Sequence, residues 1–575
     1  MLDSETVETV SSASGNPAKT NLAARIGWAI LILATLYICY FSHLGAIGFV
    51  GPDEPRYAWI ARDMAETGDW VTPRLYGKPW FEKPPLFYWG AALSFKLFGV
   101  SEAAARLPSA ISALLATLAL AWLAWRLYGA ETARWLLLLL PTTVGMIGFS
   151  HAAATDMPFS AMLTIAMVCA SVVLGLTRNE NSPIIPQTPW LALILFGFFL
   201  GLAVLAKGPA GIILVGGAVF FWALFTKRWR DAFRLFHPAA LASFFAIALP
   251  WYILCARRNP DFFRIFIIEH NFKRYLTHEF QHIQPFWYYG PILFLAVLPW
   301  SVLFIWGAIV GGSQVARDKN LSASVTLFLC WTVFCVLFFS ISQSKLPGYI
   351  LPAIPALVLL MGRVCVTIAN SNPRSLGAGL AVFGLALFGV SEFLGKIHLH
   401  ALANSETLLA SAIRVVLMLA IPNLMFGAGL LVSPLRGKRE FALALATLSL
   451  LFALSFAHRL IVDLQVDPWS PKALALQLTA HHVPLEHLSV FSMGRAERLN
   501  LNFYLHRELL DWDRDPNADA YVISGGRRCE HLKKEGYECL DVPLGSSASG
   551  WFVSHVTAKQ SAGGLPRSGQ PQQEK

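Results

Sequence analysis

Charge is scarce in this chain: only 14% of its 575 residues are charged and 55% are hydrophobic, whereas an ordinary soluble domain has roughly 25% charged residues. That shortage excludes a conventional soluble enzyme and points to a membrane. A Walker or dinucleotide glycine loop is also lacking, which argues against an ATP-driven pump and a nucleotide-cofactor enzyme. No internal repeat is visible. The apolar runs carry almost no ionisable residues, whereas a transporter needs them near the bilayer midplane. The net charge of +10 does not indicate nucleic acid, because most basic residues sit in short loops between apolar runs. Six of the eight cysteines (Cys39, Cys169, Cys255, Cys330, Cys335 and Cys365) lie in apolar segments, where a thiol behaves as a small hydrophobe.

What the chain has instead is long apolar runs. A bilayer core about 30 Å thick takes around 20 mostly apolar residues per helix. The runs predict thirteen helices, near 26–46, 107–127, 133–150, 157–176, 190–206, 211–226, 237–255, 290–311, 323–341, 348–368, 376–393, 411–433 and 440–458. The first run is longer than the about 7–15 apolar residues of a secretory signal, so it is expected to stay as an anchor after a cytoplasmic tail, 1–25.

Lys and Arg mark cytoplasmic loops. They fall in every second connection: Arg126 and Arg134, Arg178, the run 227–234, Arg317 with Lys319, Arg374, and 436–439. The other connections, 47–106, 151–156, 207–210, 256–289, 342–347, 394–410 and everything after 459, are expected outside. Loop 47–106 is amphipathic and predicts two helices lying in the membrane interface, near 55–66 and 85–98. Beyond 459, the stretches LSVFSM, AYVISGG and GWFVSHV predict a small α/β domain over 461–559, followed by a tail, 560–575, of disordered composition. That domain holds Cys529 and Cys539, and in an oxidising compartment a disulfide between them is expected.

The outer segments carry the chemistry. Asp53, Arg56, Glu82 and Lys83 share the first loop with many aromatics, and neither topology nor capping explains that grouping. His151 and Asp156 stand where two helices leave the membrane. Asp156, ahead of Met157 and Pro158, fits an N-cap and a functional role equally, and the two can coexist. Lys207 fits a functional cation or a side chain snorkelling to headgroups. Loop 256–289 is dense in histidine and arginine, with Lys273 and Arg274 suited to a phosphate. The spacing of His270, His278 and His282 lacks the compact HExxH arrangement. Lys345 and Tyr349 sit at a helix mouth interrupted by Pro347 and Gly348, a break tolerated where backbone lines a cavity.

Taken in order, DEPRYAWIARDM, GDWVTPRLYGKPWFEKPPLFYW, EAAARLPSA, the short loop ending in Asp156, EHNFKRYL and SKLPGYILP resemble the motifs of bacterial aminoarabinose transferases and the related protein mannosyltransferase-like GT-C enzymes. The likeness reaches about residue 460, and Pro55 departs from it, standing where those transferases commonly carry a small polar residue or threonine. The resemblance implies an α-helical polytopic membrane protein of GT-C type, its catalytic domain over 26–460, in the bacterial inner membrane with the site and C-terminal domain on the periplasmic side.

Enzymes of this kind move a sugar from undecaprenyl phosphate to an acceptor on that side. The leading case is 4-amino-4-deoxy-L-arabinose passed to lipid A. The alternative acceptor chemistry is hexosyl or mannosyl transfer to protein or another envelope glycan, and the non-enzyme alternative is a membrane transporter. By the same resemblance, Arg56, Lys83, Arg274 and Tyr349 would bind the donor phosphate. Asp53 would orient the acceptor or take its proton, and Asp156 would support it or bind the sugar. No cofactor is required. A divalent metal near Glu82 and His270 is also suggested, although two ligands make an incomplete site.

Overall fold

The structure, a computed structural model, describes residues 22–177, 189–273, 284–317, 322–371, 373–396, 406–432, isolated positions between 444 and 455, 471–512, 519–525, 529–534, 537–542 and 551–558. It is a helical bundle with a small sheet domain at its C-terminal end. The helices that build the site are α1 (Leu22–Tyr40), α2 (Asp53–Thr67), α3 (Leu86–Phe98), α4 (Glu102–Tyr128), α5 (Ala130–Leu139), α6 (Val144–Ser150), α7 (Asp156–Val173) and α8 (Trp190–Lys207). Among the described residues six helices are long and apolar enough to cross a membrane, or eight when each of two bent pairs counts as one span. The protein is therefore a multi-pass membrane protein. Length and hydropathy alone do not reach the expected thirteen, and most of the expected span 440–458 lies outside the described residues.

Two expected spans are broken rather than continuous. The run 133–150 divides into α5 and α6, bent by 62° around Pro141, and 290–311 bends by 111° between Phe286–Ala296 and Ser301–Ile309, around Pro299. Proline has no amide hydrogen and its ring clashes with the preceding turn. In hydrocarbon the freed backbone groups must find partners inside the protein, and the two breaks supply them to each other. Val144 N–H donates to the Leu298 carbonyl at 2.9 Å, and Trp300 Nε1–H donates to Thr142 Oγ1 at 2.9 Å.

Large side chains such as Leu33, Leu118, Trp122, Phe220 and Ile253 lie exposed on the outside of the bundle, as lipid-facing positions require. Because lipid is as apolar as these side chains, close backbone approach has to hold the helices together. Gly377 and Gly427 illustrate it: a Cβ on either would stand 2.8 or 2.7 Å from the other's carbonyl oxygen.

After residue 471 a five-stranded sheet forms, ordered Leu510–Asp511, Leu488–Phe491, Asp519–Gly525, Trp551–Ala558, Tyr537–Asp541. The first three strands run parallel, and the last two join antiparallel. The three strands expected from sequence are the central ones; the two edge strands are not among those expected. The Cys529–Cys539 disulfide is formed, with Cα atoms 5.3 Å apart. This domain sits at the α2 end of the bundle, where Tyr504 donates to Glu102 at the start of α4 (3.0 Å). At the far end of α4, Tyr128 meets Ser324 at 3.0 Å, near the basic residues expected inside. All of the chemistry described next lies at the Glu102 end.

Candidate active site

The site is built on α2. Its first turn is Asp53-Glu54-Pro55-Arg56, where carboxylates complement the helix dipole and proline gives up no amide that a helix would have used. It ends at Gly68, whose φ of +74° forms a left-handed cap. The expected interfacial helices are present as α2 and α3, but α2 does not lie with its charges toward headgroups. Glu54, Arg56, Tyr57 and Trp59 are all buried, because the charges have protein partners.

The first partner is Arg106, which the sequence reading did not single out. Its five N–H groups are all used: Nε and Nη2 bind the two oxygens of Glu54 at 3.0 and 2.8 Å, Nη1 binds the carbonyls of Leu44 (2.8 Å) and Ile47 (2.9 Å), and Nη2 also binds that of Gly48 (2.8 Å). Glu54 also accepts from the amides of Val50 and Ala153, both at 2.7 Å. One buried ion pair thus ties the loop after α1, the start of α2, the start of α4 and the loop leading to Asp156. Removing one member of such a pair strands a buried charge, at a cost of about 3–5 kcal/mol. Its only sequence signal was an arginine inside the quoted segment EAAARLPSA.

Beside this knot the predicted cluster forms. Arg56 joins Asp53 at 2.5 Å and Glu82 at 3.0 Å, and Glu82 meets Lys83 at 3.6 Å. Burial works against the Arg56 charge, but the carboxylates of Glu82 and Asp53 outweigh it and hold the guanidinium more firmly protonated than usual. Burial, then Glu82 and Asp53, push the Tyr57 phenol up, so it stays a hydroxyl. The Arg56 guanidinium also lies 5.6 Å from the Trp80 ring centre. Asp53 is the open member: 51% of its side chain is exposed, against 5%, 9% and 12% for Arg56, Glu82 and Lys83.

Asp156 forms a second pair. It is not an N-cap, since α7 starts at Asp156 itself and Thr155 precedes it. Its carboxylate receives Lys207 Nζ at 2.5 Å, and Lys207 lies 4.5 Å from the centre of the Tyr349 ring. Lys207 is therefore turned inward rather than snorkelling, because a carboxylate and an aromatic face compensate its charge. Gly348 packs against this pair, a Cβ there standing 2.7 Å from Asp156 Oδ1. Lys345 is buried, donating to the carbonyls of Ser342 (2.6 Å) and Gln284 (3.0 Å). His151 is structural: its two ring nitrogens meet the carbonyls of Ile147 (3.0 Å) and Ser42 (2.9 Å). Phe81, next to Glu82, packs with Leu205, near Lys207, so both charged groups sit at one end of the bundle.

Arg274, His278 and His282 lie outside the described residues, as does the His270 side chain. Among the described residues no group of three or more His, Cys, Asp or Glu could hold a metal ion. Glu82 pairs with Arg56 and Lys83, and no step below is routed through a metal.

Over 94% of this chain and 99% of the other, the fold matches the crystal structure of ArnT from Cupriavidus metallidurans bound to undecaprenyl phosphate, with a TM-score of 0.75 and 23% identity. That likeness gives the class, a GT-C membrane fold. Residues 21–266 match the dolichyl-phosphate-mannose-protein mannosyltransferase family. The undecaprenyl phosphate-α-4-amino-4-deoxy-L-arabinose arabinosyl transferase of Erwinia tasmaniensis is 33% identical over 66% of this chain and 68% of its own length. That of Aeromonas salmonicida is 31% identical over 68% and 70%. The chain belongs to this family of arabinosyl transferases and is a GT-C glycosyltransferase.

Proposed function

We infer that this protein moves 4-amino-4-deoxy-L-arabinose from undecaprenyl phosphate to lipid A at the periplasmic face of the bacterial inner membrane. The donor is what the relatives' name specifies. The orientation rests on the alternation of basic loops, which puts the site, the C-terminal domain and its disulfide outside.

The observation that carries the reading is the contrast within the first cluster: an exposed carboxylate, Asp53, on a buried Arg56–Glu82–Lys83 base. The donor bond is already activated, since its leaving group is a phosphate. The protein must hold geometry and stabilise the charge that develops there. Lys83 and Arg56 bind that phosphate, joined by Arg274 and Tyr349, while Glu82 fixes the two cations in place. Asp53 meets the acceptor. A lipid A phosphate arrives ionised and needs orientation, whereas a hydroxyl would need its proton removed. Asp156, tied to Lys207, supports the sugar end. Mass spectrometry of lipid A from cells with and without the gene tests this: the amino-sugar adduct should disappear with the gene. Unchanged lipid A alongside an altered protein or envelope glycan would move the function to hexosyl transfer.

A further inference from the structure

The loop 44–52 delivers Asp53, yet it has no regular backbone ladder of its own. From the bundle side it is held by Arg106 and Glu54, as described. From the other side it is held by the C-terminal domain, through the helix Arg495–Leu505. Tyr504 Oη accepts the Phe49 N–H at 3.0 Å and donates its own proton to Glu102 at 3.0 Å. Asn500 Nδ2 donates to the Gly51 carbonyl at 3.2 Å, two residues before Asp53, where Gly51 takes a φ of +68°. Phe503 meets the Phe49 ring edge-on with centroids 4.8 Å apart, and Lys472 braces Glu102 at 2.6 Å. This helix and its C-cap residue dock elsewhere through contacts that do not touch this loop: Asn502 to Tyr76 Oη at 2.8 Å and His506 to Glu66 at 3.2 Å.

We propose that Tyr504 and Asn500 are positioning residues for the transfer reaction: the C-terminal domain fixes the backbone on which Asp53 stands, and so sets how Asp53 meets the acceptor. The proposal rests on the acceptor-side role assigned to Asp53 above. Donor binding belongs to Lys83 and Arg56, and Glu82 anchors both from outside the clamped loop, so loosening this clamp slows transfer without weakening the donor.

The test uses the purified full-length enzyme in lipid nanodiscs and single-turnover transfer from undecaprenyl-phosphate-linked amino sugar to lipid A. Tyr504→Phe keeps the ring packing and removes both hydroxyl bonds. Its rate at saturating donor should fall about tenfold, the scale of one to two lost hydrogen bonds, with the donor KM unchanged within about twofold. In the Asp53→Asn background the same change should cost little more, since the two act as one unit. His506→Ala, which loosens docking alone, should leave the rate unchanged.

A wild-type rate in Tyr504→Phe, together with a loss in Asp53→Asn, overturns the positioning and leaves the role of Asp53 standing. An equal loss in His506→Ala, or full additivity with Asp53→Asn, also overturns it. A wild-type rate in Asp53→Asn overturns the role of Asp53 and this inference with it.

Discussion

Lys207 and Asp156 close on each other at 2.5 Å across 51 residues of sequence, with both side chains largely buried. The pair couples the end of α8 to the start of α7 beside Tyr349. Lys207→Met or Asp156→Asn alone should lower the amount of folded protein, because the remaining group is left with an uncompensated charge, a cost of about 3–5 kcal/mol. Pairing the two substitutions should restore abundance. Transfer by that folded double variant separates the two roles of Asp156. We expect it to stay low; wild-type transfer would make the pair purely structural.

Glu54 and Arg106 should behave differently, as a folding element. Arg106→Lys exchanges a five-donor fork for three donors and strands carbonyls among Leu44, Ile47 and Gly48. The expected result is a melting midpoint in detergent several degrees lower, with full loss of folded protein in Arg106→Ala. An unchanged midpoint for both variants would contradict the burial argument.

Gly348→Ala is expected to impair transfer through space alone. Its Cβ would stand 2.7 Å from Asp156 Oδ1 and 2.9 Å from Phe149 Cε1, an overpacking that costs about 1–3 kcal/mol and pushes the carboxylate off Lys207. Gly348→Ala with normal transfer and normal stability would mean that this junction gives way freely.

For Lys83, the expectation concerns the donor. Lys83→Ala should raise the donor KM and lower the rate together, since the same ammonium binds the phosphate before and after bond breaking. Lys83→Arg should not rescue it, because a planar fork differs from a point charge and would have to fit beside Glu82. Near-normal transfer by Lys83→Ala at equal abundance rules out this assignment.

Much of the site could be read from one sequence because its chemistry is local. Asp53, Arg56, Glu82 and Lys83 lie in one outer loop, and neither topology nor capping accounts for them. The structure joins them in one chain of contacts. What could not be read was long-range. Nothing in DEPR says that Glu54 turns inward to Arg106, 52 residues away, while Asp53 stays open. Asp156 looked like a cap because the sequence shows only its own helix, not the lysine ending the next one. The spans at 133–150 and 290–311 were apolar enough to be drawn whole; their prolines were legible, but not the partner groups that let both chains bend. The clamp from Tyr504 is separated from Phe49 by 455 residues, beyond any reading of local pattern.

The central claim is transfer from a lipid-phosphate sugar with Asp53 at the acceptor. Its most direct measurement is single-turnover transfer from purified undecaprenyl-phosphate-linked 4-amino-4-deoxy-L-arabinose to lipid A, at several pH values, by wild type, Asp53→Asn and Asp53→Ala. We predict a lipid A product carrying the amino sugar from wild type. Asp53→Asn should show a graded loss and Asp53→Ala a larger one, with donor binding kept in both. A loss of about 10² to 10⁴ in Asp53→Asn that also abolishes a steep pH dependence would mark a general base acting on a hydroxyl acceptor. No product from wild type, or a wild-type rate in both variants, would contradict the claim.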